Sequence, residues 1–270
     1  MEIITATIDP DESRKRVQNW AILAGDRHEL TIVVGGEAAH EDRFWWHGKW
    51  STLRLMEGMG VLPAYEKAFQ KRKGNKIQAY LHDDVVIYEG DWDLRVTEAF
   101  EDQQVGVVGF GGALCHGSPE LYKTPYNLQQ LGRSYYFSNV DDAEEHGTRF
   151  DGVMEVAVLD GFALIVRREL LEKMGGWQPD KWPPHHIYDY RCCCEAHRRG
   201  YKVMLVGVRC HHLGGRTATR ADYQEWCKTT KWGSDVGMHE AGHRVLYEEY
   251  RDVLPFRVAP SEKHKMKETV

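Results

Sequence analysis

Lys76-Ile77-Gln78-Ala79-Tyr80-Leu81-His82-Asp83-Asp84-Val85 is the stretch on which the reading of this chain turns. Lys76 to Leu81 has the apolar character of a buried strand, and two adjacent carboxylates follow at its C-terminal end. In an open α/β sheet, that edge is where ligands bind. Adjacent carboxylates repel one another, so an exposed pair calls for a cation, and a hard divalent ion with oxygen ligands is the natural partner. Such an ion also neutralises a diphosphate as it departs. Aspartates are equally common in strand-to-loop turns and caps, so the dipeptide alone does not choose.

Working outward, Met1 to Ile8 reads as a strand, and a helix opens at Asp11-Glu12-Ser13 and runs to Leu23 with Gly25 as its stop. His28 to Val34 is a strand closed by Gly35-Gly36, Leu53 to Met56 a short helical turn, and Leu62 to Lys73 a helix. Beyond the acidic pair come a helix over Trp92 to Glu101 and a Val-rich strand over Val105 to Phe110. Residues 111–150 read as a long irregular loop. A loop of that length is usually functional, and Tyr122, Tyr126, Tyr135 and Tyr136 would suit stacking on a ligand in a lid. Strands over Val153 to Leu159 and Gly161 to Val166, helices over Arg168 to Met174 and Tyr188 to Arg199, and a strand over Tyr201 to Val208 complete the pattern. The alternation predicts an α/β fold, a mainly parallel sheet with helices on both faces in three layers. After Ala221 the pattern is helical and amphipathic, with Trp226 and Trp232 expected to pack as anchors, and Ser261 to Val270 is a charged tail. The expected division is a domain over 1–220 and a helical extension over 221–270.

The chain has 270 residues, a formal net charge of −6, 42% hydrophobic and 28% charged residues, which fits one soluble globular α/β domain with a short extension. No apolar run approaches the ~18 residues of a membrane span. The acidic N-terminus lacks the features of a signal peptide, so a cytoplasmic protein is expected. Six cysteines, three of them consecutive at Cys192-Cys193-Cys194 and none in a CxxC pair, predict reduced thiols.

Three further motifs follow the acidic pair: Asp160-Gly161; then Gly175-Gly176-Trp177 with His185-His186-Ile187-Tyr188-Asp189; then Cys210-His211-His212-Leu213-Gly214-Gly215. Each is weak alone. Asp-Gly is a common turn, and a helix-start aspartate is often a cap. A carboxylate among histidines can act as a base, and imidazole next to paired glycines suits manganese and a close ligand approach.

Taken in order, these motifs resemble the layout of glycosyltransferase family 2 on the GT-A fold, in the branch with His-Asp-Asp and His-x-Tyr-Asp motifs. The resemblance spans about residues 1–217 and implies a metal-dependent, inverting transferase using a nucleotide-diphosphate sugar with Mn²⁺ or Mg²⁺. It implies Asp84 and His212 as metal ligands, with His211 as the fallback for His212, and His82, Asp83, Asp160 and Gly161 on the donor. Asp189 would be the base, with Trp177, His186 and Tyr188 on the acceptor side and Thr7 and Asp9 as nucleoside contacts. The sequence departs from the pattern at Arg191, at Gly35-Gly36 and at Glu66, where the family carries an acid, an acid and an Asn. The acceptor is a hydroxyl of a glycan, the first expectation, or of a lipid, a protein or a hydroxylated base in viral DNA. Basic clusters such as Arg14-Lys15-Arg16 would have to track the DNA phosphates. The competing readings are a nucleotidyltransferase using the same acidic site, for which no Gly-rich Lys loop is present, and a non-catalytic carbohydrate- or nucleotide-binding protein.

Overall fold

The computed structural model describes residues 1–40, 50–55, 60–71, 74–117, 136–142, 147–215 and 217–259. The chain opens with β1 (Glu2–Thr7) and α1 (Pro10–Leu23), continues through β2 (Glu29–Val34), β3 (Trp50–Arg54) and α2 (Val61–Lys71), and reaches β4 (Ile77–Leu81) and β5 (Val85–Ile87). Next come α3 (Trp92–Ala99), β6 (Val105–Gly109), β7 (Gly111–Ala113), β8 (Cys115–His116), β9 (Tyr136–Ser138), β10 (Thr148–Arg149), β11 (Val153–Glu155), β12 (Val158–Leu159) and β13 (Ala163–Arg167). Helices α4 (Arg168–Met174) and α5 (Tyr188–Arg198) precede β14 (Lys202–Val206) and β15 (Cys210–His212), and α6 (Ala221–Thr229), α7 (Asp235–Tyr250) and β16 (Phe256–Arg257) follow.

The main sheet has eight strands in the order β11-β14-β6-β13-β4-β1-β2-β3. Its pairings are parallel except that β13 runs antiparallel between β4 and β6, and β11 antiparallel at the edge beside β14. Side chains alternate across a strand, and β4 shows what that achieves. Tyr80 joins a core with Tyr65, Trp177 and Tyr188 on one face, while Ala79 and Leu81 join a second core with Trp20, Trp92 and Phe110 on the other. Two cores on opposite faces make the three-layer α/β/α arrangement that the alternation of elements predicts. All six cysteines are free and buried. Among the described residues, no helix is long and apolar enough to cross a membrane.

Several local expectations change. Leu53 lies in the edge strand β3, not in a helical turn, because β2 offers an unpaired edge and takes Trp50 to Arg54 in parallel register from Leu30 to Val34. The expected strand from Val153 to Leu159 divides in two. β11 joins the main sheet, whereas β12 turns away to pair with β7 in a small sheet ordered β10-β9-β7-β12. Part of the expected loop over 111–150 is therefore strand. Tyr122, Tyr126 and Tyr135 of the expected lid lie outside the described residues, as does the charged tail.

The C-terminal helices dock by two means. Leu246 and Tyr250 of α7 belong to the core that contains Tyr80. Tyr223, Cys227 and Met238 form a separate buried cluster with Trp226 and Trp232 against it, which matches the expected packing role of the two tryptophans.

Candidate active site

The C-terminal end of β4 gathers the site because three other segments are brought to it. β13 starts beside the end of β4, with the His82 amide donating to the Phe162 carbonyl at 2.9 Å, so Asp160-Gly161 lies next to the acidic pair. β15 pairs antiparallel with β5 and sets His212 opposite Val85, and the Leu213 amide donates to the Asp84 carbonyl at 3.2 Å. Beyond it, Gly214 and Gly215 take φ of +57° and +64°, a left-handed turn that side-chain-bearing residues rarely adopt. The loop before α5 supplies His185 to Ile187, and α5 itself presents Tyr188 and Asp189 in its first turn. The resulting cleft is about 290 Å³, lined among others by His82, Asp83, Asp84, Asp160, Asp189 and His212.

His82, Asp84 and His212 converge: one ligand atom from each lies within 4.8 Å of the others. His212 Nε2 stands 3.3 Å from Asp84 Oδ1, yet that oxygen is buried and makes no hydrogen bond of acceptable geometry. A carboxylate and two imidazoles gathered this closely are a donor set suited to manganese. Burial raises the Asp84 pKa, but the two histidines outweigh it and the net shift is downward. Burial and the neighbouring His212 push His82 down to about 4, so its imidazole is neutral at neutral pH. His212 is lowered by burial but raised more by Asp84, for a net upward shift. Phe162 stacks on the His212 ring at 4.8 Å and holds its plane.

Tyr188 fixes the other imidazole. Its hydroxyl lies against His82 Nε2 and 3.2 Å from the Gly161 carbonyl, to which it donates. With that proton committed, His82 Nε2–H donates to the tyrosine oxygen, leaving Nδ1 with the lone pair. Such outer hydrogen bonds set ligand tautomer and orientation. Tyr188→Phe is expected to weaken Mn²⁺ binding about 10-fold to 100-fold, measured by electron paramagnetic resonance of free Mn²⁺.

Asp83 is used differently from Asp84. Its Oδ2 accepts from Thr7 Oγ1 at 2.7 Å and Ser13 Oγ at 2.9 Å, and Arg16 donates to its carbonyl at 3.2 Å. Burial raises its pKa against those two donors. Arg16 of the basic cluster is thus committed inside the fold. Asp83 and Thr7 also line a smaller cavity of about 40 Å³ with Ala6, Val33, Gly35 and Leu55 beside the main cleft. Asp9 does not reach either cavity. Its carboxylate accepts the Glu12 amide at 3.3 Å as the cap of α1, the ordinary use of an aspartate before a helix-starting proline.

Trp177 is fully buried, with its ring 4.9 Å from Tyr80, 5.7 Å from Tyr65 and 6.1 Å from Tyr188, so it supports the floor of the cleft. Two of the departures from the family pattern explain why. Glu66 Oε2 accepts the Trp177 amide at 2.6 Å, and buried Arg191 donates to the Trp177 carbonyl at 2.7 Å. Both residues pin the Gly-Gly-Trp turn.

Asp189 lines the cleft, and its pKa rises to about 7 through burial first and the nearby Asp160 second, despite the Tyr190 amide bonded to Oδ1 at 2.9 Å. Gly161 makes room for this pair. A Cβ there would lie 2.5 Å from Tyr188 Oη and 3.0 Å from Asp189 Oδ2. Ile187, just before α5, sits at φ +71°, an unusual conformation for a β-branched residue. α7 holds it there: a Cβ on Gly242 would meet Ile187 Cγ1 at 2.5 Å. A helix-interior Gly→Ala change gains about 1 kcal/mol of propensity, but overpacking costs about 1–3 kcal/mol, and a residue already strained cannot retreat cheaply. Gly242→Ala is expected to lower stability by about 1 kcal/mol in urea unfolding.

Sequence reasoning missed Tyr65, Ser13 and the contribution of α7. Tyr65 lines the cleft with a buried hydroxyl that has no hydrogen-bond partner, and Ser13 holds Asp83. Ser13 lies six residues after Thr7 on the helix that follows β1, and that shared edge was the available signal.

A family model described as a glycosyltransferase-like family matches residues 33–250. The chain belongs to that family. Among solved structures, it is similar to the mannosyltransferase PcManGT from Pyrobaculum calidifontis in complex with GDP-Man and Mn²⁺, with a TM-score of 0.51 and 16% identity over 91% of this chain and 68% of that one. It is also similar to GalNAc-T7 with UDP, GalNAc and Mn²⁺, with a TM-score of 0.56 and 12% identity over 93% of this chain and 54% of that one, so it spans about half of the latter's length. At such identities the likeness concerns the fold, which is GT-A, as the motif order implies. No curated protein matches the sequence significantly.

Proposed function

We propose that this glycosyltransferase-family chain moves a sugar from a nucleoside-diphosphate sugar to an acceptor hydroxyl with inversion at the anomeric carbon. The observation that carries the reading is the convergence of His82, Asp84 and His212 beside Asp189 in one cleft. His82, Asp84 and His212 would hold the ion, and two imidazoles favour Mn²⁺ over Mg²⁺, which prefers all-oxygen surroundings. When bound, the ion supplies positive charge to the donor diphosphate.

The chain's own groups do the rest. The smaller cavity at the ends of β1 and β2, about 40 Å³ and lined by Thr7 and Asp83 as well as apolar residues, would take part of the nucleoside, and Gly35 at the end of β2 leaves the base to be recognised by backbone and shape. Asp83, steadied by Thr7 and Ser13, faces both cavities and suits the ribose or sugar hydroxyls. Asp160 and Gly161 border the donor sugar, and His186 and Tyr188 the acceptor. Asp189 takes the proton of the acceptor hydroxyl as its oxygen bonds to the anomeric carbon. The bond from that carbon to the diphosphate breaks, and its electron pair leaves on the phosphate oxygen. A carboxylate poised near pH 7 is well matched to that transfer.

A panel of nucleotide sugars incubated with the protein and Mn²⁺ tests the stereochemistry through slow transfer to water, followed by NMR. The first-formed free sugar is expected to have the anomeric configuration opposite to the donor's. A retained configuration would contradict the role given to Asp189.

A further inference from the structure

The C-terminal helices are unaccounted for by donor and metal chemistry, yet they reach the cleft. His239 of α7 lines it together with His185 and His186. His186 Nε2 lies 2.7 Å from Asp235 Oδ1, and the Tyr223 hydroxyl donates to the same oxygen at 2.6 Å. Asp235 opens α7 and Tyr223 belongs to the cluster that anchors α6, so the extension grips the loop before α5 through a polar bridge. His239 has its own support, with Nε2 3.2 Å from Nε2 of buried His243 one turn on, and its ring is 5.3 Å from that of His186. The His185 ring packs 4.9 Å from Tyr223, and its Nδ1 is buried with no hydrogen-bond partner.

We propose that α6 and α7 complete an acceptor subsite in which His185, His186 and His239 receive an uncharged, hydroxyl-bearing ring. The inference rests on the transferase reading and specifies its acceptor side. Three imidazoles offer both donors and acceptors to hydroxyl groups. With Nε2 held against Asp235, the remaining polar ring atom of His186 is Nδ1, which is left to bond a hydroxyl. The orphaned His185 nitrogen is a buried polar atom that a ligand would satisfy.

The charge of the ring follows from the lining. Among the described lining residues there is no Lys or Arg, and there are four aspartates: Asp83, Asp84, Asp160 and Asp189. Burial drives the pKa of His185 down to about 3 and that of His239 below its ordinary value, so neither brings positive charge at neutral pH. A phosphate or carboxylate on the ring would enter a field of its own sign, with the metal's charge already matched to the donor diphosphate.

Saturation-transfer NMR on the full chain, with Mg²⁺ and a nucleoside diphosphate present, tests this. One arm uses neutral methyl glycosides and another 5-hydroxymethyl-2′-deoxycytidine, so that a glycan source and a modified-nucleoside source are told apart. The matching charged probes are glucose 6-phosphate and glucuronate. At least one neutral probe is expected to bind, the charged probes about tenfold or more weaker. His239→Ala and Asp235→Asn are each expected to weaken the neutral probe about tenfold, and His239→Gln, which keeps a polar side chain should the alanine variant misfold, to restore part of the loss. Charged probes binding as well as neutral ones, neutral binding that survives both variants, or no neutral binding would overturn the proposal. Nucleotide binding to the unmutated chain, measured alongside, shows separately whether the donor reading stands.

Discussion

Asp189→Asn is expected to lower the rate of sugar transfer about 10²-fold to 10⁴-fold, the range that a positioned general base supplies. Nucleoside-diphosphate binding with metal should stay within about twofold, because Asp189 touches the acceptor and not the diphosphate under the proposed scheme. The pH dependence carries the same signature. Burial and Asp160 lift the Asp189 pKa to about 7, so the basic form accumulates, and kcat rises, as pH climbs through that value. Stability moves the other way. Between the ordinary carboxylate pKa and about 7, the folded chain keeps a proton that the unfolded chain has lost, so ionising Asp189 costs stability as pH rises through that window. Asparagine cannot ionise. Metal-free Asp189→Asn is therefore expected to gain thermal stability relative to the parent at pH 8 more than at pH 5. A structural carboxylate with a depressed pKa would show the reverse.

The second large effect is at Asp84. It contributes the carboxylate of the convergent group, and its Oδ1 is buried without a hydrogen bond while His212 stands 3.3 Å away. Asp84→Ala is expected to abolish tight Mn²⁺ binding, read by calorimetry, and with it all turnover that added metal supports. His212→Ala should have a smaller effect, since His82 and Asp84 remain. Equal Mn²⁺ affinity in parent and Asp84→Ala would show that the group binds no ion.

The parts legible in the sequence are those written by local periodicity or by chemistry at a strand end. β1, β2, β4, β6 and the helices between them follow from apolar runs and stop signals, and Asp83-Asp84 marks the ligand edge without any structure. What escaped depends on pairings between distant residues. β13 reads like any other strand, and nothing in its composition says that it inserts antiparallel between β4 and β6. His82 was placed on the donor because its motif position was visible, but its convergence with His212, 130 positions away, is made by the β5–β15 ribbon. Asp9 and Trp177 show a related limit: a helix cap and a buried ring use the same residue types as a ligand contact. Asp235, Tyr223 and His239 lie beyond the part of the chain with a motif pattern; the docking of the C-terminal helices carries His239 into the cleft lining and sets Asp235 against His186 and Tyr223 against His185.

The most direct test of the metal-assisted donor site is thermal stabilisation of the protein by a panel of nucleoside diphosphates and nucleotide sugars, each with and without Mn²⁺. A ligand at about 100 times its dissociation constant adds about 2.7 kcal/mol. The expected result is that one nucleotide stabilises the chain only when Mn²⁺ is present and that Asp84→Ala removes the effect. Stabilisation that is the same without metal, or none with any nucleotide and Mn²⁺ together, would contradict the assignment of His82, Asp84 and His212.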